Sequence, residues 1–438
     1  MKKLALALIT IGATVTSQAA DLKNVFEQAL ANDPQLAAEV ALANANGQSA
    51  GLARQAVLPT ITLNAEISEK DLDGTPTNPL TSLNSDGTTE KTSYDVTLSQ
   101  TLIAPASWYS YAAASASTES AELELRKAEQ SIIVRVSEAY FDVLRANATL
   151  ASAKAQEAAV KRQLEQTQQR FKVGLIAITE VHEAQAIYDN ATVDLIAAES
   201  QLDIAYESLA VLTGERYDRI NPLKETIPLV GPVPADRTLW EQKALGQNLD
   251  VLIAQKSGRS AELNHKSKMS EHLPTVNLVG QYAITDDEAS TGGEEVTSTY
   301  VGVQLSMPLF AGGATWAGQK QAYFQRQAAE KGLEAAQRGA SLTVRALYRT
   351  LEADVARIKA RKQAMISAQS AMEATQTGYE VGTRNIVEVL QAQLSVFSAQ
   401  QNYAYSRFDY VVNLLKFRQA AGELSVADID ELNGWLQR

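Results

Sequence analysis

The sequence predicts an α+β membrane protein, a trimeric twelve-strand β-barrel with four strands per protomer that continues into a long α-helical barrel with coiled-coil packing. Three observations point to it. The chain contains two internal repeats, each repeat holds a pair of alternating segments near bilayer length, and the rest is dominated by proline-free stretches too long for a globular helix.

The duplication is visible in pairs of residues. Leu58-Pro59-Thr60 returns as Leu273-Pro274-Thr275, Trp108 as Trp316 and Tyr140 as Tyr348. Phe171-Lys172-Val173-Gly174 returns as Tyr379-Glu380-Val381-Gly382, and Gly214-Glu215 as Gly422-Glu423. From the tryptophans onward the shift is constant at 208 residues, whereas the Leu-Pro-Thr pair is shifted by 215 because the loop after it is shorter in the second half. The expected organisation is a first repeat over 21–220 (helix, two strands, long helix, helix), a connector over 221–237, a second repeat over 238–423 and a terminal segment over 424–438.

Residues 1–20 read as a secretory signal peptide. Lys2 and Lys3 give the positive start, Leu4 to Val15 a short apolar stretch, and Ser17-Gln18-Ala19-Ala20 the small-residue cleavage site. The apolar run is shorter than a membrane-spanning helix needs. Removing two lysines takes the formal charge from −12 to −14, an acidity that argues against nucleic acid as a partner. The absence of cysteine excludes disulfides, thiolate chemistry and a lipid-anchored cysteine. With 45% hydrophobic residues the chain can build a large fold, at a mean hydropathy of −0.17. Beyond the leader no segment offers 18 uninterrupted apolar residues, so a membrane span would have to be a closed β-barrel.

Four segments alternate with period two. Ile61, Leu63, Ala65 and Ile67 form the first, and Tyr94, Val96 and Leu98 the second. Val276, Leu278, Gly280, Tyr282 and Ile284 form the third, and Val301, Val303, Leu305 and Met307 the fourth. Each run is ~10 residues, enough to cross a bilayer as a tilted strand. Four strands cannot close, since membrane barrels start at about eight; two copies would reach eight with few helices beneath, and three supply twelve. The polar, turn-rich stretches 70–92 and 285–298 read as loops facing the exterior. Tyr94, Trp108, Tyr109, Tyr282, Tyr300 and Trp316 are expected in an aromatic girdle.

Prolines delimit the helices. None lies between Pro105 and Pro222 or after Pro308, and both stretches are rich in strong helix formers. Ile133, Val136, Tyr140, Val143, Asn147 and Leu150 form a heptad-like stripe, repeated as Val344, Tyr348, Leu351, Val355 and Ile358. Gly174 and Gly382 are expected to end their helices in left-handed caps and let the chain reverse. A helix over 108–172 would reach ~100 Å, and helices over 21–57 and 178–215 about 55 Å and about 57 Å. The proline-rich connector and the tail after Gly422 are expected to wrap the helices as an equatorial collar.

These features resemble the TolC family of outer-membrane efflux and secretion channels. The most specific pieces are Phe171-Lys172-Val173-Gly174-Leu175-Ile176-Ala177-Ile178-Thr179-Glu180-Val181 and Gly378-Tyr379-Glu380-Val381-Gly382-Thr383-Arg384-Asn385-Ile386-Val387-Glu388-Val389-Leu390. Leu273-Pro274-Thr275 and Met307-Pro308-Leu309-Phe310-Ala311-Gly312-Gly313 add to them. The resemblance implies a homotrimer in outer-membrane lipid with a twelve-helix periplasmic barrel. It implies an exit duct for small molecules or proteins in a tripartite efflux or type I secretion system. Its partners would be a periplasmic adaptor and an inner-membrane transporter of the RND, ABC or MFS type. It further implies a gate at the periplasmic tip held by Thr179, Glu180, Tyr379 and Arg384. A lumen constriction would lie at Glu388 and Gln391. Gln391 departs from the acidic residue usual there, and Glu183, its repeat mate, is the expected replacement.

Catalysis has little support. His182, His265 and His272 show no metal-ligand spacing, no phosphate-binding glycine loop precedes a helix, and no cofactor is expected. A non-conducting trimeric coiled-coil stalk or adhesin shares the long helices but leaves the four alternating segments without a purpose.

Overall fold

The computed structural model describes residues 19–72, 87–287 and 294–437. Most of the expected leader and the middles of both polar loops lie outside the described residues. In chain order the elements are α1 (Leu22–Asn32), α2 (Pro34–Arg54), a 3₁₀ turn (Gln55–Val57), β1 (Thr60–Leu72) and β2 (Gly87–Ile103). Then come α3 (Pro105–Lys172), α4 (Ile178–Thr213), α5 (Arg237–Gln247), α6 (Leu249–Ser270), β3 (Thr275–Asp287) and β4 (Glu295–Ser306). The chain closes with α7 (Ala314–Glu380), α8 (Ile386–Ala421) and α9 (Val426–Asn433). They divide between two compact units. One takes the residues up to Val40, Leu125–Leu249 and those from Arg338; the other takes Ala41–Glu124 and Asp250–Gln337.

The stretch 21–57, expected as one helix, is broken. Pro34 cannot continue α1 but fits the first position of α2, with Asp33 held extended before it. The Asp33 carboxylate accepts from the Gln35 backbone N–H at 3.0 Å and pairs with Arg135. At the equivalent place in the second repeat Asn248 separates α5 from α6, and its amide donates to the Ala420 carbonyl at 3.0 Å. A break without proline at the repeat mate means that packing, rather than proline alone, sets the position.

The first unit is a helix-packed core. Ile133, Val136, Tyr140 and Val143 of the first stripe are buried, as are Val344, Tyr348, Leu351 and Ile358 of the second; Asn147, Leu150 and Val355 are half-buried. Tyr140 meets Phe141 edge-on at 5.9 Å, and Trp240 meets Phe417 at 4.8 Å. The connector is tied to this core through aromatic hydrogen bonds. Tyr410 donates to the Val230 carbonyl at 2.9 Å, and the Trp240 indole to the Pro234 carbonyl at 2.9 Å. Short bridges join Ala20 to Ile220 and Leu223 to Leu436.

The second unit contains one antiparallel sheet in the order β1-β2-β3-β4. Its register aligns the alternation of all four strands. Leu63 lies opposite Val96, Val96 opposite Tyr282, and Leu278 opposite Val303, so the apolar residues share one face. That face is bare: Ile67 is 80% and Val301 74% exposed. The other face is polar, with Asn64 donating to Asp95 at 3.0 Å and Lys91 paired with Glu66 at 3.0 Å. No described strand lies beyond β1 or β4, so both edges are open. Beside the sheet, α3 and α6 approach closely through small residues; Ser260 donates to the Ala113 carbonyl at 2.9 Å and Ser267 to the Ala106 carbonyl at 2.8 Å.

The strands, at 13, 17, 13 and 12 residues, are longer than expected. Residues 70–72, 87–92, 285–287 and 295–298, read as loop, belong to strands, with Lys70 opposite Thr89 and Thr285 opposite Val296. Backbone pairing does not require apolar side chains and continues past the apolar band. Tyr300 also departs from expectation. It lies opposite Gln281 on the polar face, its ring over Gly302, where a Cβ would clash, and it cannot join a girdle on the apolar face with Tyr94 and Tyr282. Leu309 and Phe310 are almost fully exposed after β4. Among the described residues no helix is long and apolar enough to cross a membrane.

Candidate functional site

Two reversals, one in each repeat, carry the expected site residues. α3 and α7 each run into a glycine in the left-handed region, Gly174 at φ 76° and Gly382 at φ 79°. Their orphan carbonyls are satisfied by the turning chain. Leu175 N–H donates to the Arg170 carbonyl at 2.9 Å, and Thr383 N–H to the Gly378 carbonyl at 2.8 Å. Nothing lies within 4 Å of a Cβ placed on either glycine, so the backbone conformation, not crowding, calls for glycine.

Both reversals sit on one apolar cluster. Val160 and Leu164 of α3, Ala184 of α4, and Ile386 and Leu390 of α8 form it, with Tyr379 at the end of α7 packed against it. The four helix ends are therefore neighbours within the first unit.

The two reversals restart their helices differently. α8 begins with a capping box in which Glu388 N–H donates to the Asn385 side chain at 2.9 Å and the Glu388 carboxylate accepts from the Asn385 N–H at 3.5 Å. The same carboxylate holds Arg384 at 2.5 Å. This hydrogen bond from Arg384, aided by its charge, keeps the Glu388 carboxyl below the usual carboxylate range. In the first repeat Asn385 is replaced by Ala177, which provides no side-chain cap, and Arg384 by Ile176. Glu180, the repeat mate of Glu388, lacks both partners.

The structure thus brings Arg384, in the turn before α8, to Glu388 in the first turn of that helix. Among the described residues no hydrogen bond or ion pair joins Thr179 or Glu180 to Tyr379 or Arg384. Tyr379 lies beneath Arg170, whose guanidinium carbon is 4.7 Å from the ring centroid, and its hydroxyl is buried without a hydrogen-bond partner in the chain. Thr179, Glu183 and Gln391 are exposed and Glu180 is half-buried. Sequence reasoning missed Asn385 and Arg170. The first was readable as a capping box, Asn385 three residues before Glu388; the second has no local signal, because its contact spans two repeats.

A chain with a bare apolar sheet face, open sheet edges and paired long-helix hairpins is the subunit of a barrel-and-helix membrane channel. It belongs to the outer membrane efflux protein family, whose profile matches residues 25–215 and 240–423. It is 37% identical over 435 residues to outer membrane protein TolC of Vibrio cholerae, covering 98% of this chain and 97% of that protein. It is 27% identical to alkaline protease secretion protein AprF of Pseudomonas aeruginosa, over 92% of this chain and 85% of that one. The fold is similar to the crystal structure of the Campylobacter jejuni CmeC outer membrane channel, with a TM-score of 0.79 at 16% identity, covering 95% of this chain and 90% of that one. The protein is an outer-membrane channel with a periplasmic helical domain, and it serves as the exit duct of an efflux or type I secretion route.

Proposed function

We propose that three copies close a twelve-strand barrel and that the paired reversals form its periplasmic gate, opened when a periplasmic adaptor and an inner-membrane transporter dock. The observation that carries this is the four-strand sheet, bare and apolar on one face, polar on the other, and unpaired at both edges. Such edges are satisfied in lipid only by closure on other copies. A non-conducting stalk has no use for such a face.

At the gate, the Tyr379 hydroxyl is buried without an acceptor, and the Thr179 and Glu180 side chains of the other reversal would supply one once the coils shift against each other. Arg384 would act through Glu388 by stiffening the start of α8. Glu183, with Glu388 and Gln391, would line the narrowest part and favour cations. The connector 221–237 and the segment 424–438 would form the collar. Cargo, small molecule or protein, would be selected by the transporter. Single-channel recording in planar bilayers tests the gate: Tyr379→Phe combined with Arg384→Ser raises conductance, and wild-type conductance in that variant would refute the assignment. In the same recordings Glu388→Ala with Glu183→Ala abolishes cation selectivity, read as a shifted reversal potential.

Ala20 bears on the leader boundary. Its N–H donates to the Arg219 carbonyl at 3.0 Å, and its carbonyl accepts from Asn221 N–H at 3.0 Å. A cut after Ala19 keeps both bonds and leaves Ser17 and Ala19 as the small residues at the cleavage site. A cut after Ala20, the boundary expected from the sequence, would discard them.

A further inference from the structure

The connector and helices α7 and α8 line a half-open cavity of about 210 Å³ that the channel reading does not use. Ile227, Leu229 and Ile358 give it apolar walls. Arg407 of α8 also lines it and is only 8% exposed. One guanidinium nitrogen donates to the Lys224 carbonyl, and the group lies 5.6 Å from the Tyr403 ring centroid. Its Nε–H is buried and has no hydrogen-bond partner among the described residues. Leaving such a donor unmade is costly, and more so for a charged group.

The cavity is also the focus of a basic patch. Lys359 and Lys362 of α7 line it, and both are exposed. They belong to the run Arg357-Ile358-Lys359-Ala360-Arg361-Lys362, four cations in six residues of a chain whose net charge is −12. Asp354 pairs with Arg357 at 3.0 Å; among the described residues no ion pair engages Lys359, Arg361 or Lys362. Glu225 is the one carboxylate lining the cavity, against three cations there, and no ion pair joins it to any of them. A buried arginine with an unpaired donor and two lysines, set beside apolar walls, form a donor set suited to an oxyanion. The guanidinium fork matches two oxygens, the lysines add charge without demanding geometry, and the apolar walls strengthen both.

We propose that this cavity binds an oxyanion group, a carboxylate or a phosphate, held by Arg407 inside and by Lys359 and Lys362 beside it. The site is built within the first unit and does not depend on gate or barrel. The test uses the full-length mature protein purified in detergent. Its thermal unfolding is followed in sodium phosphate, sodium acetate and sodium chloride at matched ionic strength. Phosphate, acetate or both raise the midpoint beyond chloride, and which of them does so identifies the source of the group. Lys359→Gln with Lys362→Gln, both on the surface, weakens the apparent affinity by about tenfold for each lysine charge removed, while the midpoint in chloride stays unchanged. Arg407→Lys keeps the charge but loses the fork and weakens binding further. Equal midpoints in all three salts, or an unaltered response in the double lysine variant, would overturn the proposal.

Discussion

Glu388 closes the capping box of α8 and holds Arg384, and these roles tie the mechanics of the second reversal to its charge. Asn385→Ala removes the cap and is expected to cost about 1 kcal/mol, read from chemical unfolding of the helical domain. Ala177→Asn would install the missing cap in the first reversal and stabilise it by a similar amount. The sign of the pH effect follows from the lowered Glu388 carboxyl. The Arg384 link is complete above the ordinary value of 4.5 and is lost as pH falls through the lower folded value. Conductance of the closed channel is therefore flat from pH 7 to about 5 and rises only in stronger acid. An increase that begins near neutrality would point to another group. At the start of the chain, intact-mass measurement of the mature protein is expected to find Ala20 as the first residue; a chain that starts at Asp21 would contradict this.

The elements show what local pattern can and cannot carry. Proline-free, alanine-rich stretches located α3 and α4 to within a few residues, because such helices are decided by composition and a seam that repeats every three or four residues. The alternation found all four strands and their shared apolar face, since one face of each is obliged to be apolar in lipid. Strand ends were misjudged because pairing past the apolar band leaves no hydrophobic signal, as at Lys70 and Thr89. The break at Asn248 and the side taken by Tyr300 were hidden for a different reason, as both depend on tertiary packing or register. At the site, the glycines were legible as turns, whereas the Arg170–Tyr379 contact joins residues from separate repeats. Two substitutions separate the sheet faces. Val301→Arg places a charge on the apolar face and is expected to destabilise the folded barrel by about 2–4 kcal/mol near mid-membrane, while Thr97→Arg on the polar face folds as wild type. Equal destabilisation by both in a bilayer refolding assay would mean the faces are wrongly assigned.

On the scale of the whole molecule, the chain is a partial object. Its sheet satisfies no lipid-exposed edge alone, and the Tyr379 hydroxyl finds no acceptor within one copy. On the proposed assembly the sheet edges would be satisfied by joining β4 of one copy to β1 of the next, and the reversals of neighbouring copies would come side by side. Membrane barrels need at least about eight strands, so one copy cannot suffice; three copies provide twelve strands and six pairs of helix ends. The most direct test of this account is native mass spectrometry of the protein extracted in detergent. A single species at three times the mature chain mass is the predicted result; a monomer or a dimer as the folded, membrane-inserted form would contradict the twelve-strand barrel and the gate built on it.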